Sequence, residues 1–388
     1  MRNGVENMED RIREYKEEIC TLSEEKQQEL GNICSYIFSN PELGLKEFKA
    51  QKILCDYLEE NGFNVERGVG SLETAFIATY DSGKPGPTVA LLAEYDCLPE
   101  IGHGCGHNII GTSSTGAGVV LKEIMQKNNI GGILKVMGTP AEENVGGKCV
   151  MLDEGAFKGI DAALIMHPTD ESIPDDISFA SVNMEFTFHG KPAHSAAFPW
   201  KGVNALSGVI QMFNAVDAMR LHFKDYTRVH GIITNGGTAH NIISDKATAV
   251  FNIRALEYEY LMEVVEVINN CAKGAAMCVG ATVDIKQNSV LLKDVRNDKK
   301  LVNYVRKNME FINEEYIERD YTQGIGSTDV GNVTHEIPAI QFYIRLKRGI
   351  GTHTLDFAKA SGGAEGLRTL STAVRVLALS ALDVLLEK

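Results

Sequence analysis

The chain has 388 residues, 44 % of them hydrophobic and 23 % charged, with a formal net charge of −14. That is ordinary globular composition, which excludes disordered, collagen-like and coiled-coil classes, and the length predicts two or three domains. The acidic balance argues against nucleic acid or an anionic membrane surface as a partner, because attraction to phosphate needs net or clustered basic charge. No window offers the ~18 apolar residues of a membrane span.

The first ten residues carry no apolar stretch of the kind a secretion signal needs, so a cytoplasmic location is expected. The eight cysteines (20, 34, 55, 97, 105, 149, 271 and 278) are diluted over a long chain. A disulfide framework belongs to small secreted domains, and most of these thiols read as small buried hydrophobes.

In chain order, the first sixty residues read as helices. Apolar positions recur at i, i+3 and i+4 over 24–38, stopping before Asn40-Pro41, and a second helix over 45–61 meets Gly62 at its end. Short apolar runs then alternate with helical stretches: strands at 88–94, 133–138 and 162–166, and a Gly- and Ser-rich helix at 109–125. Continuous apolar strands separated by helices predict a mixed, largely parallel sheet covered on both faces, an α/β domain.

The pattern changes near residue 181. Val182, Met184, Phe186 and Phe188 alternate with polar residues, the period-2 mark of a strand with one wet face. A helix over 203–221, an alternating strand over 247–255 and a helix over 257–273, with Gly274 placed to cap it, complete two β-α-β units. The expected organisation is an α/β domain of 1–181 and 290–388, interrupted by a smaller α+β domain at 182–289. Past 290 the apolar pattern returns in a strand at 339–344 and a long helix at 364–386.

Four segments put polar, metal-competent residues just beyond apolar strands or near the C-terminus: 93–108, 138–144, 165–168 and 351–354. Ligands of open α/β sheets bind outside the carboxyl ends of the strands. Cys105 and His107 lie two apart among glycines 102, 104 and 106, where the backbone can turn both side chains to one point. Alone the pair is equally a flexible turn before a helix. Glu142-Glu143 reads as a ligand beside a general base, or as an acidic surface turn. His167, before Pro168, and His353, between threonines, are each ambiguous alone. One thiolate, one carboxylate and three imidazoles at such positions form a ligand set suited to borderline transition ions.

The motifs GHGCGHN, GTPAEEN, MHP and GTHT, with PELG near the start, resemble the M20 family of metal-dependent peptidases and amidohydrolases. Within it the chain looks most like the cysteine-bridged aminoacylase and aminobenzoyl-glutamate hydrolase branch. The resemblance covers nearly the whole chain and implies a catalytic domain holding two divalent ions (Zn, Mn, Co or Ni), interrupted by a lid domain that dimerises. It implies that Cys105 bridges the ions, that His107 and His167 complete one site, and that Glu143 and His353 complete the other. Glu142 matches the general base and Asp96 the carboxylate of the family's His-x-Asp motif, whose histidine is replaced here by Glu94. In the insert, His194 matches an oxyanion-stabilising histidine reaching the partner subunit's site, and Asn241 and Arg254 match residues that hold a substrate carboxylate. Glu94 and His103 receive no role from it, and the polar turn 326–329 ending in Asp329 resembles a substrate-pocket loop or is a turn alone.

The expected protein is therefore a hydrolase cleaving the amide bond of a small N-acyl amino acid or dipeptide with a free carboxylate, using a metal-activated water and Glu142 as base. Two other readings stay open. One is an amidase with Cys105 as nucleophile; the other is a non-catalytic small-molecule-binding relative.

Overall fold

The computed structural model describes residues 2–320 and 324–387. Three helices open the chain: α1 (Arg2–Glu25), α2 (Gln27–Ser39) and α3 (Phe48–Glu60). α3 begins three residues later than the periodicity suggests. Leu45 is left-handed (φ +67°), and the Glu42 carboxylate accepts the free N–H groups of Lys49 and Ala50 at 2.8 and 3.0 Å. Side-chain capping of this kind defines where the first turn starts.

β1 (Asn64–Val69), β2 (Leu72–Asp81), β3 (Thr88–Ala93), α4 (His107–Asn128), β4 (Ile133–Gly138), α5 (Gly147–Asp153) and β5 (Ala162–Thr169) follow. The β1–β2 hairpin, with Gly68 in a largely unburied β1 and Gly70 at the turn, is absent from the expected elements. The chain then enters a smaller unit made of β6 (Ala180–His189), α6 (Ala205–Met219), β7 (Arg228–Asn235), β8 (Lys246–Ala255), α7 (Tyr258–Val279) and β9 (Thr282–Gln287). It ends with α8 (Lys299–Phe311), the short α9 (Val330–Thr334), β10 (Ala339–Arg345), α10 (Leu355–Ser361) and α11 (Ala364–Leu385).

Two compact units result. Ser178–Asp294 and Ile325–Gly331 form the smaller, and the other described residues form the larger. The larger holds a six-stranded sheet of order β1-β2-β4-β3-β5-β10. Pairs β4/β3, β3/β5 and β5/β10 are parallel, while β1/β2 and β2/β4 are antiparallel. Every residue of β3 is buried, as a central strand of a covered sheet requires. α4 crosses this strand closely: a Cβ on Gly111 would lie 2.7 Å from the Glu94 carbonyl oxygen, so glycine permits the approach.

β5 continues beyond His167 to Thr169, with Pro168 in register with Ile344 of β10. The proline does not end the ladder as its lack of an N–H suggests. β3 pairs with β5 only as far as Leu91↔Leu164, so at Pro168 the strand has an edge-like side where no donor is needed.

The smaller unit is a β-α-β-β-α-β arrangement whose sheet, β7-β8-β6-β9, is antiparallel throughout. The inward residues Val182, Phe186, Phe188, Phe251 and Ile253 form its core with α6 and α7. α7 runs straight through Gly274 and is capped by Gly280 (φ +75°) instead. Burial of Ala275 and Ala276 continues the apolar face and outweighs the ~1 kcal/mol cost of a mid-helix glycine. Among the described residues no helix is long and apolar enough to cross a membrane.

Candidate metal centre

Three parallel strands of the larger unit end side by side, and the residues just beyond them carry the chemistry. Beyond β3, Glu94 and Asp96 are buried. The chain then loops through Gly102 (φ +74°) and Gly106 (φ +72°) to start α4 at His107. Gly106 is required twice over: its φ is left-handed, and a Cβ there would sit 2.5 Å from Pro168 Cγ. This contact seats the Cys105–His107 turn directly against the end of β5, where His167 lies.

Beyond β4, Thr139 N–H donates to the Ala93 carbonyl at 2.8 Å, which aligns the Glu142-Glu143 turn with the end of β3. Ala141, just before the pair, is left-handed at φ +59°, and its N–H donates to the buried Glu47 carboxylate at 2.9 Å. Glu47 also accepts from Thr74 Oγ1 at 2.8 Å.

Asp96 joins two of these segments. Its Oδ1 is 3.0 Å from His107 Nδ1 and its Oδ2 accepts Glu143 N–H at 3.1 Å. A carboxylate opposite Nδ1 fixes the proton there and leaves Nε2 as a lone pair.

His107 Nε2 faces Glu94 Oε2 at 3.3 Å and Glu143 Oε1 at 3.8 Å, and His167 Nε2 lies 3.1 Å from Glu94 Oε2. All four atoms are buried, and none has a hydrogen-bond partner. Buried polar atoms in proteins are satisfied as a rule. Nitrogen and oxygen donors brought this close are arranged as a cation would need them. Two groups among the described residues meet this geometry, with ligand atoms all within 4.8 Å: Glu94, His107 and His167, and Cys105, His107 and Glu143. Thiolate, imidazole and carboxylate together fit a borderline divalent transition ion.

The electrostatics agree. Burial would raise the Glu94 carboxyl, but Lys148 and the two histidines hold it well below the usual carboxylate range. Burial likewise disfavours charge on His107, yet Asp96, Glu94 and Glu143 push its proton affinity well above that of a free imidazole. The Cys105 thiol is driven far up by burial, then by Glu143, Glu142 and Glu94. This is the field of a cation site: a bound divalent ion inverts it and deprotonates the thiol.

The other expected residues fall elsewhere. Glu142 is half-buried in the same turn as Glu143. His353 is exposed and left-handed (φ +61°); its backbone N–H donates to the Gly104 carbonyl at 2.9 Å, but its ring joins neither group. His103 is no ligand in this arrangement: buried, pushed down to about 4 by desolvation and then by His107, it turns Nε2 to the Ile37 carbonyl at 3.1 Å. In the smaller unit, Arg254 is half-buried, with Nε donating to Asn252 Oδ1 at 2.8 Å and Nη1 to Ser327 Oγ at 3.3 Å. His194 and Asn241 are exposed there, with His194 Nδ1 accepting from the N–H groups of Ala196 and Ala197.

Glu94 and Lys148 were not among the expected site residues. Lys148 is fully buried and donates to Glu94 Oε1 at 2.5 Å. Lysine is almost never buried unless paired, so nothing in the sequence marks it.

Known proteins resemble the chain in the same terms. A family model described as peptidase dimerisation domain matches residues 178–276. The Xaa-Arg dipeptidase of Mus musculus is 34 % identical over 378 residues, covering 94 % of this chain and 87 % of the relative. The chain belongs to the M20 family. A p-aminobenzoyl-glutamate hydrolase chain of Escherichia coli is 33 % identical over 282 residues, 68 % of this chain and 58 % of that one. Among solved structures, a dinuclear metal-binding M20 peptidase of Bacillus subtilis superposes with a TM-score of 0.72 at 21 % identity, covering 93 % of this chain and 99 % of the other. This M20 protein is a hydrolase of peptide or amide bonds.

Proposed function

We propose that this M20 hydrolase cleaves a dipeptide or a small N-acyl amino acid with a free carboxylate, using two divalent ions per subunit. The observation that carries the reading is the convergence of buried, partnerless lone pairs of His107, His167, Glu94 and Glu143 beyond the ends of β3, β4 and β5. Cys105, His107 and His167 would hold one ion, and Cys105, Glu143 and His353 the other. Ions bound there, whether Zn, Mn, Co or Ni, would polarise the scissile carbonyl and make a water a nucleophile at neutral pH.

The chain's own residues supply the rest. Glu142 would take the proton from the attacking water and deliver it to the leaving nitrogen. Asp96 keeps the His107 proton on Nδ1 and the Glu143 backbone in place. Arg254, whose guanidinium is oriented by Asn252 and Ser327, would take the substrate carboxylate with Asn241. His194 would stabilise the developing oxyanion of a partner subunit's reaction. The matched dimerisation model, together with exposed Ile232 and Ile233 on the edge strand β7, supports a homodimer formed through residues 182–289, with 1–181 and 290–388 as the catalytic domain.

The cysteine-nucleophile alternative is poorly supported. A nucleophilic thiol is activated by a lowered pKa, whereas burial and three carboxylates raise that of Cys105. A non-catalytic binder would have no use for Glu142 beside the ligand set.

Dialysis against a strong chelator tests the reading, with turnover followed on a panel of dipeptides and N-acyl amino acids. Activity should vanish and return with at least one of the four metals. Turnover that survives complete metal removal would favour the thiol nucleophile instead.

A further inference from the structure

Glu94 stands where the wider family's motif has a histidine, and its two oxygens lead different lives. Oε1 is bound by Lys148 Nζ at 2.5 Å, and both side chains are fully buried. Oε2 has no hydrogen-bond partner and points between two imidazoles, 3.1 Å from His167 Nε2 and 3.3 Å from His107 Nε2. Because Asp96 takes the Nδ1 side of His107, Nε2 is the ring atom turned toward Glu94. Two ligands of one tetrahedral ion, each bonded at ~2.0–2.1 Å, stand roughly 3.3 Å apart. The three atoms are therefore spaced as ligands of a common ion.

We propose that Glu94 is itself a metal ligand, its Oε2 completing the His107–His167 site, and that Lys148 is the positioning residue that holds Oε1 so that Glu94 binds through one oxygen. This rests on the dinuclear reading above and adds to it. The pair also balances charge. A carboxylate ligand beside the Cys105 thiolate would leave the site over-anionic, and the buried ammonium offsets it without occupying a coordination position. The arrangement explains why a lysine is buried within one residue of Gly147, with no solvent to reach.

The test is metal binding, not turnover. Chelator-stripped full-length protein is titrated with Co²⁺, read by visible absorbance and by elemental analysis after gel filtration. The native chain should bind two Co²⁺ per subunit. Glu94→Gln should keep one tight site and weaken the other by ~100-fold or more, since loss of even an outer partner of a ligand costs ~10–100-fold. Lys148→Met should weaken the same site by ~10-fold while the stoichiometry at saturating Co²⁺ stays at two. Where Glu94→Gln folds poorly because Lys148 is left unpaired, the double variant Glu94→Gln/Lys148→Met removes both charges and should show the same single tight site. Native affinity at both sites in the folded Glu94 variants would overturn the proposal and make the pair purely structural. Native affinity in Lys148→Met would overturn the positioning role. A native chain that takes up no Co²⁺ would instead overturn the dinuclear reading on which this one stands.

Discussion

Asp96 lies three residues beyond β3, and its two oxygens serve different segments: Oδ1 faces His107 Nδ1 at 3.0 Å, and Oδ2 accepts Glu143 N–H at 3.1 Å. One side chain thus sets an imidazole tautomer and ties the loop after β3 to the turn after β4. Asp96→Asn, which presents an amide where a carboxylate was, should weaken metal binding ~10–100-fold with little loss of folding. Competition with a chromogenic chelator measures it, and an unchanged metal affinity would remove the role. At this scale the sequence was most informative where a residue type is rare in its setting. Cys105, His107, Glu143 and His167 stood out as metal-competent groups beside glycines or strand ends, and the structure gathers all four. Glu94 and Lys148 did not stand out. A single carboxylate after a strand and a lone lysine in a glycine turn are what solvated surfaces also contain, and only the packing reveals that both are buried. His353 shows another case: its backbone is tied to Gly104, while the ring stands outside the ligand groups.

Among the elements, the buried parallel strands were the easiest to read, because β3, β4 and β5 are short apolar runs set off by glycine and proline. The elements that escaped are those with weak patterns. β7 is mostly exposed, so its alternation carries no core signal, and β1 is likewise largely unburied and interrupted by Gly68. Helix ends moved for local reasons, Glu42 capping α3 late and α7 running past Gly274 to Gly280. The start of α4 carries the sharpest constraint. Gly106 is left-handed and its Cα faces Pro168, so Gly106→Ala should cost about 2–4 kcal/mol, the left-handed penalty plus overpacking. Urea unfolding of the metal-free protein reads this directly. A loss under 1 kcal/mol would mean that the turn relaxes and that Gly106 does not hold the ligand loop against β5.

For the whole molecule, the −14 charge and the two-unit organisation acquire a function. Part of the acidic excess is gathered at Glu94, Asp96, Glu142 and Glu143, where bound cations would neutralise it. The smaller unit presents β7 as a sheet edge with Ile232 64 % exposed, an apolar edge that proteins seldom leave uncovered. A dimer through this edge predicts twice the subunit mass in sedimentation equilibrium, and Ile232→Lys should shift the chain to monomer. The proposed reach of His194 into a partner's site adds that the monomer loses turnover while keeping its metal. A native chain sedimenting at one subunit mass would end the dimer, and a fully active monomer would end the reach of His194.

The central claim is hydrolysis driven by Glu142 beside a bound-metal centre, and one variant tests it most directly. Glu142→Gln keeps the size of the side chain and removes its basicity. Metal content by elemental analysis and kcat on the best substrate of the panel are measured on the same sample. The account predicts native metal content with kcat reduced at least ~100-fold, the ordinary contribution of a general base. Native metal content with near-native kcat would contradict it.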